Sequence, residues 1–328
     1  SVTASGLVDG AGRQQPFDRT PELDATSAIV VSIIAAATPL LFAALGELVT
    51  EKSGVLNLGV EGMMLLGAVA SFVTAIATGS FAFAIVVGAL AGILMSLVFA
   101  VLTLSLLANQ VATGLALTIF GVGLSALLGQ SYVGVPLEAL PKLSIPGISN
   151  IPLVGQIVFS HDFLVYLSVA MVIAVSWFLY RTRWGLVVRA VGESHDAAHA
   201  IGYQVVVIRY AAVMFGGAMA GLGGAYLSLA YTPMWIENMT AGRGWIALAL
   251  VVFATWRPAR VMLGAYLFGG VTMLQLHGQG IGIDVPSQIM SMLPYLATVL
   301  VLVLISRDKI RIRLNAPADI GKVFHPDA

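Results

Sequence analysis

Cysteine is absent from the 328 residues, which excludes disulfides, thiolate metal sites and cysteine nucleophiles together. Charge is scarce as well: Lys, Arg, Asp and Glu make up 10% of the chain, against about 25% in a soluble domain. Sixteen basic and sixteen acidic residues cancel, so neither a nucleic-acid partner nor a polybasic lipid patch is indicated. A P-loop is missing too, the one Gly-Lys pair being Gly321-Lys322 before Val323, so the chain has no such motif with which to hydrolyse ATP. No aspartate falls inside a hydrophobic run, and Asp284 sits only at an outer edge, which argues against an intramembrane aspartyl protease. His195 and His199 share a helix face, but no Glu follows His195 and no third ligand is evident, so the metal reading is none. No catalytic residue is assigned, and the chain is not read as an enzyme.

What is present is apolar. Hydrophobic residues make up 59% of the chain, with 35 glycines and a mean hydropathy of +0.95. This predicts an all-α polytopic membrane protein with about nine transmembrane helices, some of them broken. Residues 25–46 carry no charge and form the first span, with Glu47, Glu51 and Lys52 following at the membrane edge. Nothing from Gly62 to Leu137 is charged, a run that holds three spans at about 20 residues per crossing, with turns at Gly79-Ser80 and at 108–110. Residues 132–162, rich in Pro and Gly, exclude a continuous helix and read as an extracytoplasmic cap. Spans five and six cover 163–180 and 210–231. Residues 244–256 are uncharged but too short to cross alone, and count as span seven. Spans eight and nine cover 261–279 and 288–306. The domain division is then a polar N-terminal tail (1–24), a transmembrane domain (25–306) and a cytoplasmic C-terminal tail (307–328).

The longest polar interruption between spans, residues 181–209, opens with Arg181, Arg183 and Arg189, which hold it inside. Nine spans then put the C-terminus inside and the N-terminus outside. Lys and Arg agree: twelve fall on the inner side, and Arg13, Arg19, Lys142 and Arg243 on the outer. Gly192 breaks a first short helix, and 193–200 reads as a second, with Ala197, Ala198 and Ala200 beside Glu193 and Asp196. Such a helix can dock closely on a partner.

Two stretches carry polar groups at membrane depth. Asn57, Gly59 and Glu61 stand where span two starts, after Ser53-Gly54, so the backbone is expected to be broken there with N–H groups free for a solute. A buried carboxylate is costly, and Glu61 must face a watery cavity or a buried partner. A pathway role and a capping role at its own half-helix are both open. Residues 240–245 echo the pattern, with Gly242, Arg243, Gly244 and Trp245 before a short apolar helix, as an inverted repeat would place a second broken helix. Arg243 and Trp245 either line the same pathway or anchor the span at the interface. The small-residue series Gly88, Gly92, Gly217, Ala220, Gly221 and Gly224 reads as helix packing. Asn109, Gln110, Gln275 and His277 read as interhelical hydrogen-bonders.

The stretch GESHDAAHAIG, from Gly192 to Gly202, resembles the coupling-helix motif of ATP-binding-cassette importer permeases, in the branch serving nucleosides, ribose-type sugars and branched-chain amino acids. SGVLNLGVEGMMLLGA from Ser53 is similar to the segment after the first core span, most closely in nucleoside and simple-sugar members. RYAAVMFGGAMAGLGGAYLSL from Arg209 and GRGWIALAL from Gly242 extend the likeness over residues 35–305.

The resemblance implies a permease subunit in the cytoplasmic (inner) membrane, moving a nucleoside or related sugar-bearing solute by alternating access. The alternatives are a branched-chain amino-acid permease and a non-transporting membrane scaffold. It implies coupling residues Gly192, Glu193, Asp196, Ala197, Ala198 and Gly202 and substrate-pathway residues Asn57, Gly59, Glu61, Arg243 and Trp245. Implied partners are an ATPase, in one form with two fused domains, a second related permease in a heterodimer, and an extracytoplasmic solute-binding protein. ATP and Mg would be used by the ATPase, with no cofactor in this chain and no nucleic acid.

Overall fold

The computed structural model describes residues 21–143, 161–280 and 315–325, with isolated helical positions between 289 and 303. Uncharged runs without water must satisfy their own backbone, and here they do so as helices. The elements are α1 (Pro21–Lys52), α2 (Val60–Thr78), α3 (Phe81–Ala100), α4 (Gln110–Gly129), α5 (Phe163–Arg181), α6 (Arg183–Glu193), α7 (His195–Ala200), α8 (Val205–Tyr226), α9 (Arg243–Phe253) and α10 (Pro258–Gly280). Two π-helical turns, Val101–Ser105 and Leu227–Tyr231, extend α3 and α8. Among the described residues strand pairing is confined to isolated bridges, two of which tie Val133 and Pro136 to Trp235 and Met234.

Among the described residues seven helices are long and apolar enough to cross a membrane, and Arg243–Phe253 is a shorter apolar helix. That short helix is the seventh span of the sequence reading, and its brevity was anticipated. The ninth, 288–306, lies largely outside the described residues, as do positions 1–20 and most of the 132–162 cap. Both expected turns in the uncharged run are present. Gly79 ends α2 with φ +68°, Ser80 caps α3 by accepting the Phe83 N–H, and Asn109 caps α4 by accepting the Ala112 N–H at 2.9 Å.

One boundary is corrected. Helix α1 does not stop before its charges; it continues through Glu47, Glu51 and Lys52, which are 1%, 1% and 8% exposed. Each has a protein partner in place of water. Glu47 Oε1 accepts the Asn57 N–H at 3.1 Å, Glu51 Oε2 accepts the Trp256 indole N–H at 2.5 Å, and Lys52 donates to the Asn315 carbonyl at 2.6 Å. A second correction is small: α6 runs to Glu193 and Ser194 makes the break, capping α7 through the Ala197 N–H.

Helix α8 is the centre of the bundle, lying against α1, α2 and α3, while α2 also packs on α4 and α10 on α1. Backbones meet directly along these seams. A Cβ added at Gly67 would fall 2.5 Å from Gly221 Cα, and one at Gly121 would fall 2.5 Å from Gly62 Cα. In lipid, close approach of this kind gains the dispersion that holds helices together.

Candidate functional site

The chain between α1 and α2, residues 53–59, turns at Gly54 with φ +87°. Its backbone is indeed broken, and the N–H groups of Leu56, Asn57 and Gly59 are taken. Leu56 N–H donates to Gln110 Oε1 at 2.8 Å, Asn57 N–H to Glu47, and Gly59 N–H to Asn57 Oδ1 at 2.9 Å. Thr118 donates to the Leu58 carbonyl at 3.0 Å. Asn57 is 0% exposed. Asn57 and Gly59 shape the break, since a buried backbone donor left open there would cost about 1–3 kcal/mol.

Glu61, 4% exposed, does not cap its own helix. Its carboxylate reaches across to the start of α9. Oε1 accepts the Thr240 hydroxyl at 2.5 Å and the Gly242 N–H at 2.8 Å, and Oε2 accepts the Gly244 N–H at 2.6 Å. Gly242, at φ +84°, is the N-cap residue of α9 and lacks a side chain to do the capping. A charge-assisted bond to a helix N-terminus is among the strong ones. The two broken helices singled out in the sequence are thus joined by one carboxylate.

Arg243 and Trp245 separate here. Arg243 folds back on its own loop, donating to the Met239 and Thr240 carbonyls at 3.1 and 3.2 Å, with its guanidinium 5.5 Å from the Tyr231 ring centroid. Trp245 is 37% exposed on the outer surface of the bundle.

The sequence did not disclose a cavity of about 340 Å³ between α1, the cap of α5, the end of α8 and α10. Its polar lining is Ser32, Lys142, His161, Asp162, Tyr226 and Tyr231. Five separate stretches contribute, so no local motif could have announced it. Asp162 caps α5 by accepting the Leu164 and Val165 N–H groups, and burial raises its carboxyl above the usual range against those bonds. Tyr231 stands in the π-helical turn and serves both the cavity and Arg243. Such turns often mark functional sites.

The six residues expected to couple to a partner divide. Glu193, Asp196, Ala197 and Gly202 are exposed. Gly192 and Ala198 face inward: Gly192 lies against the Lys52 carbonyl, and Ala198, 2% exposed, packs with Val187, Val191, Val205 and Phe324. Their smallness serves internal packing. Both His195 and His199 lie edge-on to Phe324, and among the described residues no group of three His, Asp or Glu could hold a metal ion.

Comparison with known proteins places this fold in a family. The model of the family described as branched-chain amino acid transport system / permease component matches residues 29–305. The chain belongs to that family. It is 42% identical over 291 residues to a putative glucose ABC transporter permease protein, TsgC13, of Haloferax volcanii, covering 82% of this chain and 88% of the relative. It is 35% identical to the nucleoside ABC transporter permease protein NupC of Lactococcus lactis and 33% to the guanosine ABC transporter permease protein NupQ of Bacillus subtilis, in both cases covering 84% of this chain and 91% of the relative. No solved structure matches.

Proposed function

We propose that this chain is the membrane-spanning permease subunit of an ATP-binding-cassette importer for a nucleoside or a related sugar-bearing solute. The observation that carries the mechanism is the Glu61 bridge, which ties two interrupted helices 181 residues apart into one unit able to tilt together. Relatives whose names specify glucose, nucleosides and guanosine favour a polyhydroxylated solute over a branched-chain amino acid. The outer cavity suits that chemistry. The tyrosine rings offer apolar faces, and Ser32, Asp162 and Lys142 offer donors and acceptors for ring hydroxyls.

In this reading a solute-binding protein delivers to the outer cavity, and a separate ATPase, using ATP and Mg, moves α6 and α7 from the cytoplasmic side. A second, related permease completes the pair as a heterodimer, and the ATPase is either two chains or one with fused domains. The N-terminus lies outside and the C-terminus inside the cytoplasmic membrane. Exposed Glu193, Asp196, Ala197 and Gly202 form the face presented to the ATPase.

The test is uptake by cells carrying the chain with its cognate partners, using labelled guanosine, glucose and leucine. Uptake of guanosine or glucose, energy-dependent and lost with the ATPase, is expected. Leucine uptake alone would favour the branched-chain reading, and no uptake of any of the three the scaffold reading. Orientation is read separately, since a chain without cysteine gives no background. Glu138→Cys is expected to react with an impermeant thiol reagent outside intact cells and Ser194→Cys to stay unlabelled; the reverse pattern would invert the topology.

A further inference from the structure

Residues 315–325, which read in sequence as a trailing tail, lie between α7 and the turn that leads into α2. Asp319 is the knot. Its backbone N–H donates to the Gly192 carbonyl at 3.0 Å, and two residues on the Gly321 N–H donates to the Gly54 carbonyl at 3.0 Å. Its Oδ2 accepts the His195 backbone N–H at 2.8 Å and lies 2.6 Å from His195 Nδ1, while Oδ1 accepts Lys322 Nζ at 2.8 Å.

Arg209, 1% exposed at the foot of α8, closes the arrangement. Its Nε donates to the Ser53 carbonyl at 3.2 Å and its Nη1 to the Lys322 carbonyl at 3.1 Å, with Nη2 3.3 Å from His195 Nδ1. Phe324 buries the far end of the segment in the small core of α6 and α7. Helix α7 therefore touches the turn at Ser53 and Gly54 through the C-terminal segment and one arginine. From that turn the bonded groups continue through Asn57 to α2, and through Glu61 to α9.

We infer that the C-terminal segment is a transmission strut, with Asp319 and Arg209 as positioning residues that make the break before α2 follow the movement of α7. This rests on the permease reading and adds to it the part that carries force from the ATPase side to the broken helices. Coupling between sites is a measurable free energy, and contiguity alone does not establish it. The strut also differs from an ATPase contact, because its bonds lie wholly within this chain.

The experiment uses the assembled transporter in lipid nanodiscs and proteoliposomes, with guanosine and glucose as probes. Asp319→Ala is expected to keep membrane insertion, copurification with the ATPase and basal ATP hydrolysis. Solute moved per ATP hydrolysed should fall by about tenfold, within the usual range of coupling between sites. Amide deuterium exchange should rise at 53–59 as well as at 195–200. A His195→Cys/Asp319→Cys pair should transport when oxidised and lose that transport on reduction, because the disulfide replaces the lost bond. Unchanged exchange at 53–59 in Asp319→Ala would overturn the strut. So would solute moved per ATP within about twofold of the parent, loss of ATPase copurification in step with uptake, or an oxidised pair no better than the reduced one. Exchange is read without solute, so it judges the strut even if neither probe is transported, a result that would count against the permease reading instead.

Discussion

The two helix starts inside the bundle are built differently. Both have glycine at the N-cap and neither has a side-chain cap of its own. The loop before α2 is held locally: Asn57 accepts the Gly59 N–H, and Glu47 and Gln110 from adjacent helices accept the Asn57 and Leu56 N–H groups. The start of α9 instead borrows its acceptor from Glu61, one residue into α2. A start held by its own loop is indifferent to where the other lies. A borrowed cap is not, and any motion separating α2 from α9 must break charge-assisted bonds.

The sharpest way to break that relation is Glu61→Leu. It leaves the Thr240 hydroxyl and the Gly242 and Gly244 N–H groups without an acceptor, at about 1–3 kcal/mol for each buried group. Uptake should vanish and the thermal unfolding temperature in detergent should fall, both measured at equal membrane expression. Glu61→Gln, which keeps the shape and one carbonyl oxygen, should lie between. Normal uptake by Glu61→Leu would reduce the bridge to a passive contact.

Gly244→Ala attacks the same junction from the α9 side. The added Cβ would lie 2.6 Å from both Glu61 Cα and Glu61 N, and because those are backbone atoms α9 itself must shift. Overpacking of this kind costs about 1–3 kcal/mol. Partial loss of uptake with a lower unfolding temperature is expected; an unaltered protein would mean that α9 already rides loosely.

Asn57→Ala tests the start of α2 and should be milder. It removes the one bond to the Gly59 N–H, worth about 1 kcal/mol, while Glu47 and Gln110 keep theirs. Uptake should fall without disappearing. A loss as complete as that of Glu61→Leu would erase the distinction between the two starts.

The smallest expected effect concerns a carboxylate outside the membrane. Burial works against the charge of Asp319, but the Lys322 ammonium and the His195 N–H outweigh it and hold its carboxyl below the ordinary value. A depressed acid contributes stability above its unfolded value, near about 3.9, and loses it as pH falls through the folded one. Docking of the C-terminal segment, followed by a fluorophore on His325→Cys, should therefore be flat from about pH 5 to 8 and weaken only in stronger acid. Release near neutrality would show that another group controls it.

Much of the bundle was legible because lipid enforces a simple rule. Long uncharged runs become helices, and the turns at Gly79-Ser80 and around Asn109 were readable as glycine and capping residues within such runs. Both helix breaks were readable for the same reason. Their partner was not: Glu61 and Gly242 are far apart in sequence, and a single sequence does not say which donors converge on a carboxylate. Charge misled at Glu47, Glu51 and Lys52, because an ionisable residue after an apolar run reads as the water's edge until its buried partners are seen. Ala198 misled in the opposite sense. A small residue suits an outer contact and an inner one equally, and only Phe324, 126 positions away by numbering, decides between them. The segment holding Asp319 read as a cytoplasmic tail, because the Gly192 and Gly54 carbonyls that receive it are backbone groups with no signature in sequence.

The glycine seams along α8 have a thermodynamic corollary. Where Gly67 lies on Gly221 and Gly92 on Gly217, backbone meets backbone and only short side chains such as Ser71 and Ser96 stand beside the contact, so bringing these helices together restricts few rotamers. Less conformational entropy then opposes this association than would oppose a seam of long side chains.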